Sequence, residues 1–447
     1  MSQHLLASGY TPFDTSHLSA GDTAWMLTSA ALVLLMTPAL AFFYGGMVRA
    51  KHVLGMLMQN FTAIAIVSVT WVVIGFSIAF GGTGRFWGDF HYVGLHHMGD
   101  AIPILGSAQT VPTMVMVVFQ LTFAIITPAL ITGSTADRWK FGAFAAFVTI
   151  WSVVEYAPVA HWVWAGGWIG RMGTEDFAGG TVVHINAGAA GLAMAIVLGR
   201  RLGWPREKMR GHNIPFVMLG AALLWFGWFG FNAGSAGAAN GLAAYAWVNT
   251  NTATATALIG WIAVEKLRYG KCTALGAASG AVAGLVAITP CAGFVSPIGS
   301  IFIGLIAGAV CAVAINLKHR LGFDDSLDVV GVHLVGGWVG TLCIGFFSTA
   351  GTNPIATNGL LYGGGSAGAK LLLHQFEAAA AVTVFSFVVT FVIAKLIGLV
   401  MDNRVSESDE LAGLDTSIHG ESAYEYGPVS GGAFAALGAA AKERVNA

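Results

Sequence analysis

Asp176-Phe177-Ala178-Gly179-Gly180-Thr181-Val182-Val183-His184 leads into a long apolar stretch, with Gly188 and Gly191 just beyond it. A distant second stretch, Asp325-Ser326-Leu327-Asp328-Val329-Val330-Gly331-Val332-His333, is followed by Gly337 and Gly340 and has the same plan. In each, seven residues separate an aspartate from a histidine, and glycines stand four and seven positions further on. An ionisable side chain inside a hydrophobic span is costly, so its default reading is functional. Two of them in matched settings predict a duplicated fold with a paired-histidine site between the halves.

The rest of the chain fits a membrane setting. Hydrophobic residues make up 56% of the chain and charged residues 10%, with 14 Trp and 60 Gly. Mean hydropathy is +0.72. That balance belongs to a polytopic membrane protein. A net charge of -1 gives no argument for nucleic acid. Cys272, Cys291, Cys311 and Cys343 lack CxxC spacing and are expected to pack inertly. No Lys or Arg occurs in residues 1–23, so no removable leader is expected there.

Apolar runs fall near 24–44, 53–80, 111–133, 139–162, 179–199, 214–231, 242–264, 272–292, 297–316, 328–349 and 376–401. Each is too long and too uniformly apolar for a barrel strand, so the expectation is all-α with eleven transmembrane helices. Arg49, Lys51, Arg138, Lys140, Arg200, Arg201, Arg206, Lys208, Arg210, Lys266, Arg268, Lys271, Lys318 and Arg320 then share one side of the membrane. The other side holds Arg85, Arg171 and Lys370. The positive-inside rule puts the N-terminus outside and the tail from Asp402 in the cytoplasm. His184 falls in the fifth run and His333 in the tenth, so their helices cross in opposite directions. That predicts an inverted 5+5 repeat plus one extra helix, with a substrate path at the midplane.

Three readings of the histidines stay open at this level. They are isolated core residues, axial ligands of a haem, or a facing pair that lines a narrow path and shares a proton. The duplicated context favours the pair. Phe119, Phe123, Trp162, Trp164, Trp168, Trp225, Trp228, Phe229 and Phe231 are expected at the outer membrane level. They read equally as an interfacial belt or as a vestibule attracting a cation. Ser235 reads as a helix-end residue or as an acceptor for such a cation. Asp176 reads as the N-terminal cap of its helix, a role compatible with favouring a cation nearby. Lys395 is expected to snorkel, and Glu155, inside the fourth run, has no account from sequence.

At these residues the chain resembles the ammonium transporter family (Amt/Mep/Rh), and within it the bacterial and archaeal Amt branch. The likeness runs from about residue 24 to 426. Its phrases include Ala41-Phe42-Phe43-Tyr44-Gly45-Gly46, both histidine stretches, and Gly230-Phe231-Asn232-Ala233-Gly234-Ser235-Ala236-Gly237. Gly413-Leu414-Asp415 and His419-Gly420-Glu421-Ser422-Ala423-Tyr424 extend it into the tail. The sequence after Tyr426, with Lys442 and Arg444, departs from the family pattern.

The resemblance implies a homotrimer of eleven-helix protomers in the cytoplasmic membrane, each with its own ammonium/ammonia pore. It implies an ammonium site at Phe123, Trp164 and Ser235, and a phenyl gate at Phe123 and Phe231 with Phe119 nearby. It implies twin pore histidines at His184 and His333, and an aspartate near the recruitment site at Asp176. Trp228 and Thr289 fall in matching stretches with less defined roles. It also implies a PII-class signal protein at the cytoplasmic face. No cofactor or metal is expected.

Competing classes make different demands. A haem subunit would use the same two histidines. A neutral-solute channel ordinarily has paired Asn-Pro-Ala half-helices, whereas Asn353-Pro354-Ile355 stands alone. A sensor would need a signalling domain, for which the tail is short. No HExxH, Walker or Ser-His-Asp pattern suggests an enzyme.

Overall fold

The computed structural model describes residues 18–99, 101–105, 109–207 and 209–424. Lys208, Lys442, Arg444 and the segment 1–17 lie outside the described residues. Long helices follow one another from the first described turn. They are α1 (Ala20–Met47), α2 (Ala50–Phe80), α3 (Thr113–Thr135), α4 (Phe141–Arg171), α5 (Gly180–Leu198) and α6 (Ile214–Gly234). There follow α7 (Gly241–Tyr269), α8 (Ala274–Ile288), α9 (Pro297–Leu321), α10 (Val330–Phe347) and α11 (Gly365–Val400). Two short tail helices, α12 (Glu407–Ala412) and α13 (Leu414–His419), come last.

Among the described residues nine helices are long and apolar enough to cross a membrane; α7 and α8 fall outside that set. The chain is a multi-pass membrane protein, and no strand longer than an isolated bridge occurs among its described residues. The polar residues of α7 explain its lower hydropathy, and several of them bond inside the bundle. Asn249 donates to the carbonyls of Ala292 at 2.9 Å and Val295 at 2.7 Å, and the Thr250 hydroxyl receives the Asn232 amide at 2.9 Å. Helix α11 starts at Gly365, well before the apolar run expected from 376. Lys370 and His374 interrupt the hydropathy there without interrupting the helix.

Both histidine stretches fold alike. Asp176 Oδ1 accepts the amides of Gly179 and Gly180, each at 2.7 Å, and its Oδ2 accepts that of Thr181 at 2.8 Å. Asp325 likewise accepts the amides of Val329 at 3.2 Å and Val330 at 2.8 Å. Each carboxylate meets free amide donors at a helix start. Beyond each cap the helix opens into a π turn, Gly180–Ile185 in α5 and Val330–Leu334 in α10, and each turn carries its histidine. Gly179 enters α5 at φ 117, a left-handed conformation that favours glycine.

The glycines four residues past each histidine make reciprocal contacts. A Cβ on Gly188 would meet the backbone N of Leu334 at 2.4 Å, and one on Gly337 would meet Ile185 Cγ1 at 2.9 Å. Leu334 follows His333 and Ile185 follows His184, so each glycine admits the other half's π turn. Close backbone approach of this kind needs small residues.

Charges gather at one end of the bundle and join the loops there to the tail. Asp137, 4% exposed, is 3.1 Å from the Arg49 guanidinium and 3.6 Å from that of Arg201. Arg201 also bonds Asp324 at 2.9 Å through both Nε and Nη2. Arg138 is wholly buried and donates to Gly199 O, Ser326 Oγ and Asp324 O; burial lowers its guanidinium to about 10. The tail closes over this network. Glu410 pairs with Arg404 at 2.7 Å, Asp415 accepts the Gly55 amide at 2.9 Å, and the Leu414 amide donates to His52 Nδ1 at 3.3 Å.

Burial alone would raise the carboxyls of Asp137 and Asp324, but their cationic neighbours outweigh it and hold both below the usual 3.8. A depressed carboxyl stabilises the fold above its unfolded value and loses that contribution as pH falls through its folded value. Thermal stability of purified protein is therefore expected to drop as pH is taken below about 4. Asp137→Asn is expected to cost about 3 kcal/mol at neutral pH and to flatten that acid limb, as followed by melting curves. Gly188→Val is expected to destabilise by about 1–3 kcal/mol through overpacking against Leu334, seen as lower yield and an earlier melt.

Candidate functional site

Opposite the tail, the start of α3 with residues 109–111 before it, the end of α6 and Trp164 of α4 line a cavity of about 470 Å³. Phe119, Phe123, Trp164 and Ser235 all line it. Sequence reading thus named residues that the fold brings together. The Trp164 indole N–H donates to the backbone carbonyl of Asp176 at 3.0 Å, leaving the ring face free to meet a ligand. Ser235 Oγ donates to Phe231 O at 2.8 Å, so its lone pairs can accept. Asp176 contacts the site through its backbone, while its carboxylate is occupied by three amides and the Thr181 hydroxyl.

The cavity floor is aromatic. Phe123 and Phe231 stack at 4.1 Å between centroids and 29° between planes. Phe119 meets Phe123 edge-on at 4.9 Å, and Trp164 meets it at 5.8 Å and 88°. All three phenyl rings are buried. Edge and offset contacts at such distances suit the ring quadrupoles and resist displacement.

Beneath the stack are two constrictions of about 10 Å³ each, roughly the least space that holds one water. The upper one is walled by aliphatic residues such as Leu40, Ile126 and Val282, around His184, Trp228 and His333. The two imidazoles face each other with Nδ1···Nδ1 at 3.3 Å and centroids 5.4 Å apart. Such a contact needs one nitrogen to donate and the other to accept, so a single proton lies between the rings. One remaining Nε2 is then a donor and the other an acceptor. The Trp228 indole lies 5.4 Å from His184 at 25°, and its N–H donates to Thr289 Oγ1 at 2.8 Å. Thr289 in turn donates to Leu285 O at 2.7 Å, which fixes the clamp. The lower constriction is lined by His333, Phe43 and Tyr44. Phe43 and Tyr44 stood in a quoted motif without a role, because nothing in the sequence tells which helix face meets a lumen.

Other expectations separate. The nine aromatics do not form one cluster: Trp162 meets Trp168 at 5.8 Å and Phe385 at 4.5 Å in tilted contacts, and Phe229 stacks on Trp247 at 4.1 Å. Trp162, Trp168 and Phe229, like Trp225, are not among the cavity's lining residues. Lys395 Nζ lies 5.4 Å from the Phe391 ring centroid, an added attraction on the snorkelling path. Glu155 sits wholly buried in the π turn Ser152–Tyr156 of α4, beside Asn186 and Ser386, with no hydrogen-bond partner on either oxygen. A haem between His184 and His333 would need the room that their direct contact already fills.

Known proteins share this plan. Residues 24–424 match the model of the Ammonium Transporter Family. An ammonium transporter of Mycobacterium tuberculosis is 50% identical over 439 residues, covering 92% of this chain and 91% of that one. One from Bacillus subtilis is 49% identical over 409 residues, covering 91% and 99%. The crystal structure of Saccharomyces cerevisiae Mep2 superposes with a TM-score of 0.80 at 32% identity, covering 88% of this chain and 89% of that one. The chain belongs to the ammonium transporter family.

Proposed function

We propose that this chain takes ammonium from outside the cell and passes it inward as ammonia. The observation that carries the reading is the histidine pair at 3.3 Å inside a near-dry constriction, directly below stacked phenyl rings. All eleven long helices cross the membrane as an inverted 5+5 repeat with α11 added, residues 24–401 forming the transporter unit. Reciprocal packing of Gly188 and Gly337 supports the repeat. The basic, tail-covered end faces the cytoplasm, as the positive-inside rule requires, and the 470 Å³ cavity opens outside. Three copies assemble, each with its own path, and the tail 402–447 meets a PII-class regulator.

Ammonium and potassium resemble each other in charge and size, so a filter of charge and radius hardly separates them. An apolar lumen penalises either bare ion by several kcal/mol or more. Ammonium alone escapes by releasing a proton. In this reading the ion is held at the Phe123 and Trp164 faces and Ser235 Oγ, an aromatic attraction of about 0.5–2 kcal/mol. It loses its proton at the cavity floor near Asp176, whose own role is to hold the α5 cap and Trp164. Neutral ammonia then passes Phe123 and Phe231. Along the imidazoles it finds one Nε2 donor and one Nε2 acceptor, so its hydrogen bonds are met at little desolvation cost. The Trp228–Thr289 clamp keeps the His184 ring in that orientation. The released proton either returns to the outer water or follows through the imidazole pair, and only the second course makes transport electrogenic.

Replacing both His184 and His333 with Leu is expected to abolish ammonium current that excludes potassium, measured on proteoliposomes in each cation. Full potassium-excluding conduction in that double variant would refute the pair's role. Ser235→Ala with Trp164→Leu is expected to weaken capture at micromolar ammonium by about tenfold or more, while uptake at millimolar ammonium changes little. Unchanged uptake at low concentration would remove both residues from the recruitment site.

A further inference from the structure

Polar groups around the outer cavity are nearly all engaged with one another. Gln109 accepts the Ile102 amide at 2.9 Å and donates to Val111 O and Thr113 Oγ1, both at 2.9 Å. The Thr110 hydroxyl donates to Asp22 at 2.7 Å, and Asn240 Oδ1 receives the Ala243 amide at 3.0 Å. Trp164 gives its N–H to Asp176 O and Ser235 its proton to Phe231 O. Gln120 is the exception. It lines the same cavity, yet its buried amide oxygen has no hydrogen-bond donor.

A buried acceptor with no donor is costly, and a donor brought by a ligand relieves that cost. Ammonium has four N–H donors. Ser235 offers lone pairs to one of them, and the aromatic rings attract the charge without accepting a directed hydrogen bond at full strength. Gln120 precedes Phe123 by three residues on α3, which puts both side chains on one helix face. We propose that Gln120 turns its amide oxygen to the cavity when ammonium enters and becomes a second acceptor, completing the cation site of which Ser235 is the first.

The proposal deepens the recruitment reading and rests on it. A charge-assisted hydrogen bond also separates ammonium from cations that lack N–H donors, because the gain depends on direction as well as charge. Gln120 thereby contributes to specificity at the entrance, before any proton is lost.

The test is ammonium-evoked current from full-length protein in proteoliposomes, titrated over ammonium concentration, with Ser235→Ala run in parallel. Gln120→Leu is expected to raise the half-saturating concentration about tenfold with the maximal current retained. An unmoved half-saturation in Gln120→Leu, or a fall in maximal current without such a shift, overturns the proposal. If Gln120→Leu fails to assemble, Gln120→Glu decides: a carboxylate in the acceptor position should lower half-saturation, and an unchanged or higher value overturns the proposal. A shift in Ser235→Ala without one in Gln120→Leu sinks this inference and leaves the recruitment reading standing. No shift in either variant sinks both.

Discussion

The constraint on which the rest depends is the shortage of room, between apolar walls, around two facing imidazoles. Constrictions of about 10 Å³ cannot carry a hydrated cation, and the aliphatic walls offer nothing in place of its water. The histidines tolerate burial because each meets a hydrogen-bonding need of the other. Everything nearby serves to keep that contact. Trp228 is locked by Thr289 on one side, and the phenyl stack closes the top. In the proposed mechanism, selectivity follows from this dryness rather than from any ring of charges.

The contact itself depends on how closely two helices approach. Gly188 and Gly337 leave no Cβ where Leu334 and Ile185 pass, and the capping aspartates fix where each helix begins. At the basic end the problem is reversed, since many charges must be held together without repelling. Asp137 pairs with Arg49 and Arg201, Asp324 pairs with Arg201 and accepts Arg138 at its backbone carbonyl, and the tail rests on that end through Glu410 and Asp415. A dry midsection and a heavily paired end thus belong to one structure.

Much of this was legible from residues alone, for identifiable reasons. Long apolar runs announce helices because hydrocarbon allows the backbone few alternatives. The Asp-to-His spacing was visible because caps and buried imidazoles are rare in such runs. Other features left no trace. The early turns of α11 carry Lys370 and His374, so hydropathy hid a helix that continues through them. Trp162, Trp168 and Phe229 share a composition with Trp164 and Phe231, but they point to other neighbours. Phe43, Tyr44 and Gln120 line the path because of helix rotation, which composition does not encode. Glu155 is buried without a partner, and the structure supplies no physical account of it.

The π turns in α5 and α10 have one more effect. A wide turn holds an extra residue, and one residue is about 100° of rotation around a helix axis. Each such turn opens its helix, so the extra residue lies between the capping aspartate and the α-helical turns that follow, in α5 at His184 and in α10 at His333. Each helix then presents its imidazole and, one turn on, its glycine to its counterpart on one face. Deleting a single amino acid between cap and histidine would swing the imidazole by about 100° relative to the aspartate that anchors the helix start.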